Sequence, residues 1–259
     1  MRDRWMRLVI GLLVLLFFSP VAFAQRGGRG ARGANAGPSV PHDPHDLSGI
    51  WRAGGADSLS KQPPPMTAWG QEQFNAHRPS YGPRAVVPAL GNDPTGKCDP
   101  LGYPRILFFG RPVEIVQLPN RVVQLFEWGR VLREIRTDGQ ELPKDPDPRW
   151  LGWAVGKWEG DTFVVNSVGF DERAWIDHFG NPHSEEMRLQ ERYRRVDRDT
   201  LEITLTLDDP KTYTKPWLSE KITLRLQPNE KIREEFCVPS EEESFNQGVR
   251  NPAGGLIRK

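Results

Sequence analysis

The chain is 259 residues long and almost balanced in charge, with 35 Lys and Arg against 34 Asp and Glu and a formal net charge of +1 at pH 7. The two signs are interspersed as on an ordinary solvated surface, which excludes the concentrated positive field that nucleic-acid binding requires. Beyond the N-terminus no stretch is long or apolar enough to cross a membrane.

Residues 1–24 read as a cleavable export signal. Arg2, Arg4 and Arg7 give a positive start, Leu8 to Phe18 is apolar apart from Gly11, and Ala22-Phe23-Ala24 has the small-x-small pattern that precedes cleavage. A membrane anchor would need about 20 apolar residues, more than this core supplies. No Cys follows the expected cut, which argues against a lipoprotein, so a mature chain free in the periplasm or secreted medium is expected to start at Gln25. Residues 25–45 carry Gly, Arg, Pro and Asn with almost nothing to bury, and read as a linker.

Asp46 to Trp51 opens the folded region as a first strand. The region from there to 104 is proline-rich and reads as an extended arm, a lid or a passive wrap, with one short helix that Thr67 can cap and His77-Arg78-Pro79 ends. From 105 to 245 the pattern is short alternating strands separated by turns, with strands expected at 105–109, 112–118, 121–128, 130–136, 151–158, 161–169, 187–196, 200–208, 220–227 and 231–238. Most connections are too short for a crossover helix, so neighbours should pair antiparallel. The expected fold is therefore all-β, an up-and-down meander closed as a lipocalin-like barrel in preference to a sandwich, followed by a flexible tail over 246–259.

The two cysteines, Cys98 and Cys237, both fall in the exported region. An oxidising compartment favours a disulfide between them over free thiols or half of a metal site.

Strand phase exposes polar residues on apolar faces. Glu191 shares a face with Met187, Leu189 and Tyr193; Glu234 lies between Ile232 and Phe236; Arg133 lies between Val131 and Ile135. A buried carboxylate must pair, accept hydrogen bonds or take up a proton. Glu191 or Glu234 could thus serve as acid or base with Arg133 stabilising an anion, or the three could be a structural ion-pair set. The connection Trp175 to Glu185 holds Asp177, His178, His183, Ser184 and Glu185. His183 with Asp177 could form an acid/base pair; His178, His183 and Glu185 could hold a metal, although their spacing fits no zinc pattern; or the segment could be turn chemistry around Gly180-Asn181-Pro182. No Gly-x-Ser-x-Gly elbow supports a serine hydrolase. Trp175, Tyr213 and Trp217 are candidate ligand walls, with His178 near them.

Several phrases resemble a large group of exported bacterial proteins of unassigned function: Asp46-Leu47-Ser48-Gly49-Ile50-Trp51, Cys98-Asp99-Pro100-Leu101-Gly102-Tyr103-Pro104-Arg105, Val155-Gly156-Lys157-Trp158-Glu159-Gly160-Asp161-Thr162, Pro182-His183-Ser184-Glu185, Glu191-Arg192-Tyr193, and Asp209-Pro210-Lys211-Thr212-Tyr213-Thr214-Lys215-Pro216-Trp217. The resemblance implies one domain over about 46–245 and carries no activity with it.

Taken together, the sequence points to an exported barrel that binds a small organic ligand. In its catalytic form Glu191 is acid or base, His183 shuttles protons and Arg133 stabilises an anion; the alternatives are a non-catalytic carrier and an envelope interaction protein using the arm and the basic tail. No reading calls for a cofactor, the metal reading of His178, His183 and Glu185 ranks last of the three for that segment, and no pattern fixes an oligomeric state.

Overall fold

The computed structural model describes residues 41–250; the expected signal peptide, most of the linker and the last nine residues lie outside it. Ten strands form one sheet: β1 (Gly49–Ala53), β2 (Pro112–Leu118), β3 (Arg121–Phe126), β4 (Leu132–Arg136), β5 (Trp153–Glu159), β6 (Thr162–Val168), β7 (Arg188–Asp197), β8 (Thr200–Asp208), β9 (Trp217–Leu218) and β10 (Ile222–Leu226). Helix α1 (Ala68–Ala76) lies in the arm and α2 (Pro239–Phe245) near the C-terminus. No helix among the described residues is long and apolar enough to cross a membrane.

The sheet closes. Sequential pairing runs from β1 to β8, and β10 then joins β8 to β1, with Leu224 opposite both Leu201 and Ala53. Nine strands make the ring, and β9 pairs only with the far half of β8. The lipocalin-like barrel expected from the strand pattern is present, with one departure from a purely antiparallel meander. Strands β4 and β5 are parallel, through Ile135 opposite Ala154 and Arg136 opposite Val155. The connection 137–152, with three prolines, is long enough to carry the chain back along the barrel to the end at which β4 began, as a parallel pair requires.

Two expected strands are not strands. Residues Arg105–Phe108 form a buried turn of 3-10 helix, because a short apolar run has no period that separates strand from helix. Residues 231–238 are extended but pair only at Glu235, with Trp128. With β10 already bonded on both sides, the closed ring offers this segment no edge. Phe236 is 59% exposed, and Glu234 is exposed as well. The tail expected from 246 starts in helical conformation, continuing α2 through Arg250.

The barrel interior is packed by alternate residues of each strand. Leu201, Ile203, Leu205 and Leu207 of β8 are buried, as are Leu189, Glu191 and Tyr193 of β7. Gly156 of β5 is required by this packing, since a Cβ there would come within 2.3 Å of the Phe163 ring.

Three long excursions leave from one end of the barrel. The arm (54–111) follows β1, the connection 169–187 joins β6 to β7, and 209–221 joins β8 to β10 by way of β9. The arm is bonded down at this end. Thr67 caps α1 by accepting from the Gly70 N–H at 3.0 Å and donates to the Lys211 carbonyl at 2.7 Å, while the Thr214 N–H donates to the Pro65 carbonyl at 2.7 Å. Further on, the Arg105 guanidinium grips both carboxylate oxygens of Asp93, and Cys98 is disulfide-bonded to Cys237 with Cα atoms 5.3 Å apart.

Candidate functional site

The anomaly read from strand phase is real at β7 and β4. Glu191 and Arg133 face each other inside the barrel at 0% and 1% exposure. The Arg133 Nη2 donates to Glu191 Oε1 at 2.5 Å and its Nη1 to Oε2 at 3.0 Å, a bidentate pair. Around it, the hydroxyls of Tyr103 and Tyr193 donate to Oε2 at 2.5 and 2.6 Å, and Arg133 also donates to Ser167 Oγ and Gln124 Oε1. The guanidinium lies 3.7 Å from the Tyr103 ring centroid. Both tyrosine hydroxyls are held well above their ordinary pKa, first by burial and then by the Glu191 charge. Burial by itself would push the Arg133 pKa down; Glu191 outweighs it and keeps the guanidinium charged. The cluster is ionic and internally satisfied on almost every atom, and neither Glu191 nor Arg133 lines the two large clefts described below.

The other expected members of this cluster lie elsewhere. Glu234 is on the exposed C-terminal segment. His183 is buried in the 169–187 connection, where Nδ1 contacts the Ser184 carbonyl at 3.0 Å and the ring meets Phe170 edge-on. Its Nε2 has no partner among the described residues. Burial pushes its pKa down, disfavouring the charged imidazolium.

Asp177 does not pair with His183. It is a fully buried hub that accepts from the backbone N–H groups of Leu59, Phe179 and Asn181 at 3.2, 3.0 and 3.3 Å and from the Asn181 side-chain amide at 2.7 Å. Burial raises its pKa more than these four donors lower it. Asp209 has the same role in the neighbouring connection, accepting from the backbone and hydroxyl of both Ser184 and Thr212. The two carboxylates fasten the 169–187 connection to the arm and to the 209–221 connection, which is turn chemistry made rigid by burial. His178 faces Phe109 and the edge of Tyr81, while Glu185 is exposed, so the three residues considered for a metal are not gathered.

Of the aromatic candidates, Trp175 is sealed in, with His77 stacked at 4.6 Å and the Arg105 guanidinium 5.3 Å from its ring. Tyr213 is buried and its hydroxyl donates to the Pro182 carbonyl at 2.6 Å. Its ring packs 5.3 Å from that of Trp217. Trp217 lines a cleft of about 600 Å³ between the arm and the barrel end, with Pro63 and Pro64 of the arm, Phe74 of α1, and Phe179 and Asn181 of the 169–187 connection. Two lining side chains hold buried polar atoms without a partner among the described residues, the Trp217 indole Nε1 and the Asn181 carbonyl Oδ1. A second cleft, of about 1000 Å³, runs over the outer face of β6 to β8. Its lining combines outward residues of those strands with Leu142, Pro143, Lys144 and Pro146 of the 137–152 connection and residues of the 169–187 and 209–221 connections, and two of its side chains, Asn166 and Gln190, already bond each other.

Sequence reasoning missed several of these groups. Gln124 and Ser167 stand in the buried phase of their strands, so the test that found Glu191 would have found them. Tyr103 and Asn181 lie outside strands and helices, where no periodicity announces an inward side chain, while Phe74 lies on a face of the expected helix for which the sequence names no partner. No protein-family model, curated protein or solved structure matches this chain.

Proposed function

We propose that this chain is an exported β-barrel protein that binds a small organic ligand in the cleft between the arm and the barrel end. The observation that carries this reading is the cleft itself. Its volume of about 600 Å³ is in the range of small-molecule sites, and its walls combine the rings of Phe74, Phe179 and Trp217 and two prolines with polar residues of the arm and Asn181. Its walls come from three separate excursions tied together by the buried Asp177 and Asp209, so it is held ready rather than assembled on binding. Export is supported by the N-terminal pattern of Arg2 to Ala24 and by the Cys98–Cys237 disulfide, which suits an oxidising compartment.

Binding without chemistry is favoured over acid/base catalysis. The strongest candidate acid or base, Glu191, has both oxygens engaged inside the barrel, and His183 makes its contacts in another region of the molecule. A thermal-shift screen of the purified protein against neutral and charged aromatic fragments tests the reading, with Trp217→Ala as the control. Hits that stabilise the parent and not the variant support it. Hits that stabilise both equally place the site elsewhere.

A further inference from the structure

We propose that the cleft of about 1000 Å³ over the outer face of β6 to β8 is a second binding site, independent of the one at the barrel end, and that it takes a neutral oligosaccharide. Its floor is a row of uncharged polar side chains. Asn166 of β6, Gln190 of β7 and Thr206 of β8 stand directly opposite one another in the sheet register, at the ~4.8 Å spacing of neighbouring strands, and all three line the cleft. The Gln190 Nε2 donates to Asn166 Oδ1 at 3.2 Å in a bond open to solvent, which orients both amides. The Asn166 Nδ2 is left as a donor and the Gln190 Oε1 as an acceptor, and the Thr206 hydroxyl serves as either. Sugar hydroxyls, each of which donates and accepts, match such an alternation.

The walls are fixed by the chain itself. On one side Pro146 sits so close over Gly169 that a Cβ there would come within 2.6 Å of it, and the Arg149 N–H donates to the Gly169 carbonyl at 2.9 Å. On the other, Pro210 and Pro216 belong to the 209–221 connection, which Asp209 holds through the backbone and hydroxyl of Thr212. An outer sheet face is thereby enclosed as a groove with proline rings on both sides, apolar surfaces for the C–H faces of a sugar. Charge argues against an ionic ligand. Lys144 and Arg188 bring two positive groups to the lining and Glu185, Glu186 and Asp208 three negative ones, and none of the five has an ionic partner among the described residues. A polyanion is drawn to the first two and repelled by the other three, and a polycation meets the reverse. An added peptide strand has nowhere to pair, because β6, β7 and β8 are already bonded on both edges along this floor.

The ¹⁵N-labelled protein is titrated with maltohexaose, laminarihexaose, xylohexaose and mannohexaose, and for comparison with a galacturonate hexamer and a glycine-serine hexapeptide. The side-chain amide resonances of Asn166 and Gln190 are followed, assigned by their loss in Asn166→Ser and Gln190→Ala. Because the floor bonds hydroxyls common to all neutral sugars, at least one of the four is expected to move both resonances with a Kd of about 1 mM or tighter. Gln190→Ala and Thr206→Val, both on the outer face of the sheet, should each weaken that sugar about fivefold, the worth of one hydrogen bond, while the melting temperature stays that of the parent. Silence from all four neutral sugars overturns the proposal. So does tighter binding of the galacturonate or of the peptide than of every neutral sugar, and so does sugar binding that is unchanged in both variants.

Discussion

Replacing Arg133 with methionine keeps most of the side-chain volume and removes the charge that Glu191 faces. In the parent protein Glu191 accepts two bonds from Arg133 and one from each of Tyr103 and Tyr193, all at 0–1% exposure. The variant leaves a carboxylate in the barrel interior with three hydroxyl donors, Tyr103, Tyr193 and, at 3.3 Å, Ser167, and no counter-charge. Breaking a buried pair from one side costs about 3–5 kcal/mol, a large share of a total stability of about 5–15 kcal/mol. The double variant Arg133→Met, Glu191→Met removes both charges together; the Tyr103 and Tyr193 hydroxyls still bond each other at 3.0 Å, and the Gln124 amide still donates to Tyr193 at 2.9 Å. It should lie within about 1 kcal/mol of the parent or above it. Urea unfolding followed by tryptophan fluorescence and far-ultraviolet circular dichroism measures all three proteins, and the cycle isolates the coupling. A lone carboxyl in apolar surroundings is better protonated, so the single variant should also lose stability as pH rises from about 5 to about 8. A single-variant loss below about 1 kcal/mol, or two losses that simply add, would refute the account of a dry, mutually dependent pair.

Three more outcomes follow from the same structure. Burial is the main cause that lowers the pKa of His77, His178 and His183, that of His178 to about 4. The unfolded chain takes up protons below about pH 6.5 and the folded protein resists them, so stability is full above that pH and declines as pH falls toward 4. His178 should account for about 1–2 kcal/mol of the decline after allowance for its partial exposure, and denaturant midpoints at a series of pH values would report it; a flat profile would contradict the burial of all three rings. Reduction of Cys98–Cys237, whose sequence separation is 139, should cost up to about 5 kcal/mol by loop entropy, read as a fall in denaturant midpoint on adding reductant. Gly156→Ala should cost about 1–3 kcal/mol and broaden the Phe163 and Ile135 side-chain resonances, because the new methyl would enter their space; an unchanged melting temperature would place Gly156 on the outside of the barrel.

Much of the fold was legible because strand phase is a local property. Leu201, Ile203, Leu205 and Leu207 declare a buried face without reference to anything distant, and the short turns between strands force antiparallel neighbours. The same rule located Glu191 and Arg133 and said that they must be compensated, and the export expected from the N-terminal pattern favoured the pairing of Cys98 with Cys237 that the structure contains. Thr67 was legible as a helix cap because capping acts within three residues.

Which groups compensate one another, and which segments find an edge, depended on the closed fold. Glu234 has the same alternating neighbours as Glu191, yet it is exposed because β10 had already closed the ring against β1 and β8. Asp177 and His183 are six residues apart and buried together in one connection, but the donors that Asp177 accepts from belong to Leu59, Phe179 and Asn181. The cleft draws on residues near 60, 74, 180 and 217. Periodicity constrains neighbours along one strand, whereas a site of this kind is fixed by hydrogen bonds between distant excursions that share one end of a closed barrel.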